Sequence, residues 1–398
     1  MTPPESPKSA AVAGPVVSAV RVAGDPRGKG WRLGVIGKRT WSVARGRAEL
    51  APAQVPLVEE PIYDPKRAVL LHDADILLNR TRVDIVVDGH VYPPGGRTPF
   101  DFGVQVGSLL RLGRAYGPRR VAPDPVAGRP RFSLPDLIER IPLAWESAYG
   151  GVDQAARADI GDPFEESLGL AGVEPDPRFG LFAYPRNPVG RGYLLEPTSA
   201  AFEACELPLI EDPESVLTPD SLVRKDFVCW PEGPAVAGFG WLSHAFFPRS
   251  AMLGARPLVY DGNRIPASAF HEVRRGEIHE AAVRGDRPFQ ERLDVGVAQA
   301  SAIGMRAKAV GPGDGVALHG LHPRESRWTF RIPSEVPRMH ARFVGEKTIE
   351  LPAPAIRTVL IQPDEDRLTL VWTSELLLAS APGPKRLEGL QHLVVWNR

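Results

Sequence analysis

The chain has 398 residues, enough to bury a large core or to form two or three domains. Its 48 basic and 48 acidic residues give a formal net charge of +0, so no basic excess favours nucleic acid. The composition, with 43% hydrophobic and 24% charged residues, is that of an ordinary soluble protein. No apolar run reaches the roughly 18 residues that predict a membrane span.

Glycine and proline are frequent, at 39 and 42 residues, which predicts many loops and few long helices. The two cysteines, Cys205 and Cys229, are too few for a disulfide framework and fit a reducing compartment. Residues 1–15 read as a flexible tail without the apolar segment of a standard signal peptide. We therefore expect a cytoplasmic protein.

Most of the predicted elements are strands, because β-branched and aromatic residues cluster between glycine and proline turns. The predicted strands are Val16–Val22, one or two within Trp31–Val43, Val83–Tyr92, Gly103–Tyr116, Trp328–Ile332, Met339–Val344, Ile356–Ile361, Arg367–Trp372 and Leu393–Trp396. Short helices are predicted at Leu134–Arg140, Leu242–Leu253 and Ala267–Arg275.

The sum predicts a mainly β (α+β) fold, a sheet-rich body with short helices and long Gly/Pro-rich loops. We expect a first body over residues 16–300 with a loop insert at 152–186. Residues 301–398 form a β-rich region that is either separate or part of the same body.

Several local patterns are weak evidence for a chemical site. Asp88-Gly89 belongs to no chemical site but is a strong signal for a hairpin within Val83–Tyr92. Alternation along a strand puts His72 and Asp75 on opposite faces, so His72–Asp75 reads as a solvated strand end rather than a metal site. His319 and His322 read as loop residues rather than zinc ligands. No catalytic motif was found, and neither a cofactor nor a metal is expected.

We expect the chain to be organised around two motifs separated by the insert. The first, Ile141–Gly151, contains two large rings four residues apart, which would share one face of a helical turn. The second, Asn187–Tyr193, begins a tight turn with Asn-Pro and two glycines. Arg191 offers a planar donor fork to Glu146, so we expect the motifs to fold together with Arg191 paired to Glu146 across an aromatic floor. The candidate residues are Trp145, Glu146, Tyr149, Gly150, Gly151, Asn187, Pro188, Gly190, Arg191 and Gly192.

These residues allow two interpretations, a structural corner that holds two sheets together or a direct site for a partner or ligand. The insert is long for a loop in a compact domain, and such loops are often functional. Aromatic residues in it are candidates for contact with a partner. These contact candidates are Phe164, Phe179 and Phe182.

Five stretches together resemble the bacterial type VI secretion adaptor and chaperone family, long catalogued as a domain of unknown function and encoded beside spike and effector genes. The family's Ala-Pro-x-Asp-Gln motif has its nearest counterpart in Val295–Ala300, without the proline or the aspartate. The stretches that carry the resemblance are Gly37–Trp41, Asp73–Ile76, Asp84–Gly96, Ile141–Gly151 and Asn187–Tyr193.

The resemblance implies an adaptor without catalytic residues. It would bind a secretion effector in the cytoplasm and help load it onto the spike protein with valine-glycine repeats, with no nucleic acid or membrane as partner. One alternative is a hydrolase or carbohydrate-active β enzyme that uses acids near Glu146. Another is a structural subunit of a secretion or phage-tail-like assembly.

Overall fold

The computed structural model describes residues 17–24, 30–44, 46–65, 69–123, 130–153, 183–195, 198–223, 227–252, 265–280, 283 and 299–396. The largest sheet, sheet I, has seven strands in the order β1-β2-β22-β21-β6-β16, with β3 paired to the far end of β2. Its strands are β1 (Ser18–Gly24), β2 (Trp31–Ala44), β3 (Arg47–Leu50), β6 (Val83–Val87), β16 (Arg306–Ala307), β21 (Ala355–Gln362) and β22 (Arg367–Leu378).

Two further sheets pack beside sheet I. Sheet II has the order β15-β9-β8-β17-β18, and sheet III has the order β20-β19-β23. Sheet II consists of β8 (Phe100–Val106), β9 (Leu109–Ala115), β15 (Ile210–Glu211), β17 (Gly315–His319) and β18 (Arg327–Arg331). Sheet III consists of β19 (Pro337–Arg342), β20 (Ile349–Glu350) and β23 (Gln391–Trp396).

The remaining described elements are short. The two-stranded pairs are β4 (Ile62–Tyr63) with β5 (Leu70–His72), β7 (His90–Val91) with β12 (Ile141–Pro142), β10 (Val121–Pro123) with β11 (Pro130–Phe132), and β13 (Tyr149–Gly150) with β14 (Arg191–Gly192). The α-helices in the described ranges are α1 (Ser199–Ala204), α2 (Pro219–Leu222), α3 (Arg249–Met252), α4 (His271–Arg274) and α5 (Pro384–Glu388).

Two buried clusters position the site. The first lies between the sheets, where alternate residues of sheet I, such as Trp41 and Ile85, meet those of sheet II, such as Leu318 and Trp328. The second is built around Tyr184 and other aromatic residues from short segments between residues 121 and 283. The chain therefore has a sandwich core and a separate aromatic core.

Several of the predicted strands are confirmed. Gly103–Tyr116 lies in the hairpin of β8 and β9, and the predicted C-terminal hairpin is β21 with β22. Trp31–Val43 lies in one continuous strand, β2, which pairs with β22 from Trp31 to Ser42. The mainly β class is thus the observed one, and sheet I takes strands from both sides of residue 300.

The predicted hairpin within Val83–Tyr92 is wrong. β6 pairs in parallel with β21 and antiparallel with β16, whereas β7 pairs with β12. All five residues of β6 are buried, as expected for a central strand covered on both faces. Burial between remote strands outweighs the local turn signal of Asp88-Gly89.

The predicted helix at Leu134–Arg140 is also wrong, since the segment has no helical turn. Its amides bond to other parts of the chain instead. Asp136 N donates to Pro118 O at 2.9 Å, and Ile138 N donates to Gly96 O at 3.0 Å. The segment is therefore held as an extended strap. The helices predicted at Leu242–Leu253 and Ala267–Arg275 are present only as the shorter α3 and α4.

Candidate functional site: the corner formed by the two motifs

The structure brings the two motifs together through a short parallel pair. β13 pairs with β14, so that Tyr149 lies opposite Arg191 and Gly150 opposite Gly192. Arg191 N donates to Ala148 O at 3.0 Å, and Tyr193 N donates to Gly150 O at 2.9 Å. We call the residues 145–151 and 187–193 the corner.

Asn187 is the centre of the corner and is completely buried. Its side-chain amide donates to the carbonyl oxygens of Trp145 at 2.7 Å and Tyr149 at 3.0 Å. The main-chain carbonyl oxygen of Asn187 accepts from Gly151 N at 2.8 Å. Because Pro188 follows, Asn187 is biased away from the helical region, and it begins the tight turn predicted from the sequence. One side chain thus satisfies the backbone of a segment distant in sequence.

The glycines allow the two backbones to approach closely. Gly151 has φ of +99°, and a Cβ there would lie 2.4 Å from Gly190 O. A Cβ on Gly190 would lie 2.6 Å from Ala148 O. Any side chain at these positions would push the motifs apart, so the glycines are required by packing.

The expected pair between the side chains of Arg191 and Glu146 needs correction. Arg191 Nε donates to the main-chain oxygen of Glu146 at 2.7 Å, and Arg191 Nη1 forms its ion pair with Glu206 at 2.9 Å. The Glu206 side chain is 73% exposed, so solvent screens this pair. Arg191 therefore fixes the backbone of the first motif.

The shared aromatic floor is wrong as well. Trp145–Ser147 forms a single 3₁₀ turn that ends before Tyr149. Tyr149 lies on strand β13, where side chains alternate rather than follow a helix. Trp145 packs in the sandwich core and Tyr149 in the aromatic core. The corner therefore joins the two cores and sends one ring into each.

Each ring is fixed by its surroundings. Trp145 Nε1 donates to Trp241 O at 2.7 Å, and its ring meets Phe246 edge-on at 5.5 Å. The Tyr149 ring meets Tyr184 at 5.0 Å with an interplanar angle of 74°. Both are favourable aromatic arrangements that restrict ring motion.

Both ends of the insert are attached to this corner. Val152 and Ala183 form an antiparallel bridge, and Tyr184 N donates to Gly151 O at 2.9 Å. The contact candidates Phe164, Phe179 and Phe182 lie outside the described residues. The insert thus leaves and returns at one point.

A buried ion pair that the sequence did not reveal lies next to the corner. Arg186 Nε contacts Glu272 Oε1 at 2.6 Å, and Arg186 Nη1 donates to the Tyr184 hydroxyl at 2.7 Å. Burial alone would raise the pKa of Glu272, but the charge and hydrogen bonds of Arg186 outweigh it and hold that pKa below its ordinary value. No local motif links residues so distant in sequence.

A small cavity of about 20 Å³ lies between Trp145 and this ion pair, with room for about one water molecule. Glu272 is the carboxylate among its lining residues and is already paired with Arg186. Glu146 is half-buried and does not line this cavity.

The solvated strand end expected at His72–Asp75 is wrong, because both carboxylates are buried. Asp75 pairs with Lys38 Nζ at 2.8 Å, and Asp73 pairs with Arg249 Nη2 at 2.6 Å. Both basic partners lie on remote segments, so the pattern gave no sign of them. In the part of the chain that the structure describes, no cluster of three or more His, Cys, Asp or Glu residues could hold a metal ion.

Asp84 is the centre of a third buried network. It pairs with Arg80 at 3.3 Å and accepts from Gln299 Nε2 at 3.1 Å. The Gln299 side-chain oxygen accepts from the amides of Thr81 and Arg82 at 2.9 and 3.0 Å. The glutamine of the divergent Val295–Ala300 stretch thus anchors the start of β6.

The fold and corner define a strand-rich protein whose two cores are joined by paired backbone motifs. Residues 28–373 match the family described as "Uncharacterized protein conserved in bacteria (DUF2169)", and the chain belongs to that family. No curated protein and no solved structure matches the chain. Among the described residues, no helix has the length and apolar character needed to cross a membrane.

Proposed function

We propose that this protein is a non-catalytic adaptor that binds a type VI secretion effector in the cytoplasm and helps load it onto the spike protein with valine-glycine repeats. The motif resemblance supplies the identity of the system. The corner supplies the physical support, since its polar groups serve to join backbone segments.

The observation that carries the proposal is the attachment of both insert ends to the corner, through the Val152–Ala183 bridge and the Gly151–Tyr184 hydrogen bond. A loop fixed at both ends by a rigid base loses less conformational entropy on binding than a free segment. Binding residues are commonly placed on such loops. The insert, with Phe164, Phe179 and Phe182, is therefore the proposed contact with the effector.

Buried charges elsewhere are consistent with this assignment. Asp73, Asp75 and Asp84 are each neutralised by a basic partner in the interior. Each of these carboxylates is buried, so its contacts are made inside the protein. These acids therefore support the fold.

The test is capture of the tagged protein from its native cells, followed by mass spectrometry of co-purifying proteins. The wild type should recover a secreted effector and the spike protein. Replacing residues 154–182 with a Gly-Ser linker should remove the effector, whereas deleting residues 1–15 should not. Recovery of neither protein by the wild type would reject the adaptor function. Recovery of the effector by the linker variant would reject the insert as its contact.

A further inference from the structure

The turn Tyr92–Gly96 forms one wall of a groove that the corner does not explain. Gly96 N donates to Pro93 O at 3.0 Å and closes the turn. The strap runs alongside, where Gly96 O accepts from Ile138 N at 3.0 Å. A Cβ on Gly96 would lie 3.4 Å from the Ile138 backbone, so the turn and the strap are packed closely.

The opposite wall is the loop between β17 and β18. Gly320 O accepts from Tyr92 N at 2.8 Å, which joins the two walls at the base of the groove. His322 bonds to Asp366 at 2.8 Å and stacks on Trp328 with ring centroids 5.1 Å apart. Both walls are therefore held in place before any partner arrives.

The groove has an apolar interior with an uncovered leucine at its edge. Tyr92, Phe100 and Ile138 line it and are half-buried. Leu137 also lines it and is 74% exposed. Its neighbour Leu134 is 88% exposed but does not line the groove. Leu137 thus extends the apolar lining into one exposed patch, and an exposed apolar patch with polar residues at its rim is typical of an interaction site.

The charges around the groove are unbalanced. Glu139 and Glu325 line it, are exposed, and form no ion pair with another described residue. Arg324 also lines it but is paired with Asp366. Arg140 is exposed and does not line the groove. Two unpaired carboxylates thus leave the lining negative, and a partner with basic residues would complement it.

We infer that this groove, formed by Tyr92–Gly96, Leu137–Glu139 and Gly320–Ser326, binds a segment of the effector in which apolar side chains lie between basic residues. The apolar side chains cover Leu137 and Phe100, and the basic residues meet Glu139 and Glu325. This inference rests on the proposed function for the source of the segment, and it adds a second contact besides the insert.

The direct test uses the purified full-length protein and a fluorescein-labelled peptide containing Arg-Leu-Ser-Leu-Arg, followed by fluorescence anisotropy. The peptide should bind saturably, and its affinity should fall with added salt because charged contacts are screened. Leu137→Asp and the double variant Glu139→Lys/Glu325→Lys should each weaken binding by about tenfold or more. The double variant should instead bind a second labelled peptide, which contains Glu-Leu-Ser-Leu-Glu.

Matched controls exist on the same chain. Leu134→Asp changes a leucine outside the groove that is more exposed than Leu137, and Glu350→Lys/Glu388→Lys reverses two exposed acids elsewhere. Both should bind the first peptide within about twofold of the wild type. All the substituted side chains are exposed, and circular dichroism is used to check that each variant is folded.

Absence of saturable binding up to about 1 mM peptide would overturn the inference. Binding that Leu137→Asp and the charge reversal leave unchanged would also overturn it. A dimer of the wild type that Leu137→Asp dissociates would overturn it by making a second copy the occupant. Peptide binding here, with neither effector nor spike captured from cells, would reject the adaptor function but retain the groove.

Discussion

The side-chain amide of Asn187 donates to the carbonyl oxygen of Trp145 at 2.7 Å, across 42 residues of chain. This bond, with its companion to Tyr149, holds the second motif against the first at the junction of the two cores. The insert begins and ends at the same place, so the stability of the corner and the position of the insert depend on one another.

Replacing Asn187 with alanine should lower the free energy of unfolding by about 2–4 kcal/mol, because two buried carbonyl oxygens each lose the hydrogen bond from its side-chain amide. Urea denaturation followed by tryptophan fluorescence measures the change. Glu206→Gln, at a side chain that is 73% exposed, should leave the midpoint nearly unchanged. Equal midpoints for wild type and Asn187→Ala would show that the bonds do not hold the corner.

Gly151→Ala should cost more stability than Gly345→Ala, although both glycines have positive φ, +99° and +74°. A Cβ on Gly345 has no atom within 4 Å, so that substitution reports conformational strain of about 1–2 kcal/mol. At Gly151 the clash with Gly190 O adds to the strain. Thermal denaturation of the two variants gives the comparison, and equal losses would mean that the close approach does not matter.

Trp145→Ala should lower the free energy of unfolding by about 3–5 kcal/mol, because it leaves a cavity in the sandwich core. Trp145 is 6% exposed and donates to Trp241 O, whereas Trp31 is 37% exposed. Trp31→Ala is therefore the control and should cost less. Calorimetry measures both, and an unchanged melting temperature for Trp145→Ala would contradict its placement.

The Arg186–Glu272 pair should make stability fall in acid. The pKa of Glu272 lies below its ordinary value in the folded state, so its contribution is complete above that ordinary value and is lost as pH falls through the folded-state pKa. Glu272→Gln should be less stable by about 3–5 kcal/mol at neutral pH, since it leaves Arg186 buried without its partner. It should also lose less further stability between about pH 5 and pH 3.

Urea denaturation at several pH values tests this prediction. Glu214→Gln, which removes a carboxylate that is 83% exposed, should keep the acid slope of the wild type. A Glu272→Gln variant with the wild-type slope would show that another group controls the acid sensitivity.

Local patterns predicted the strands well but not the long-range partners. β21 and β22 are adjacent in sequence, and their alternation and polar turn specify the hairpin. By contrast, Lys38 and Arg249 neutralise Asp75 and Asp73 from remote segments, so the acidic stretch read as solvated. The Asp88-Gly89 signal failed because β6 finds its partners in β21 and β16.

The sequence predicts that the two motifs meet at the corner, but it does not predict the contacts correctly. Asn-Pro and the glycines indicated a tight turn against the first motif, which the structure contains. The spacing of Trp145 and Tyr149 predicted a shared face only if the helical turn continued, and it ends between them. The sequence pattern favours Glu146, in the first motif, as the partner of Arg191. The ion-pair partner is instead Glu206, which lies outside both motifs.

We propose that the corner supports a binding insert and performs no chemistry. The most direct test of this proposal is the ratio of captured effector to tagged protein for three forms of the chain. Glu146→Gln should match the wild type, and replacement of residues 154–182 by a linker should abolish capture. Loss of capture in Glu146→Gln, or full capture by the linker variant, would contradict the account.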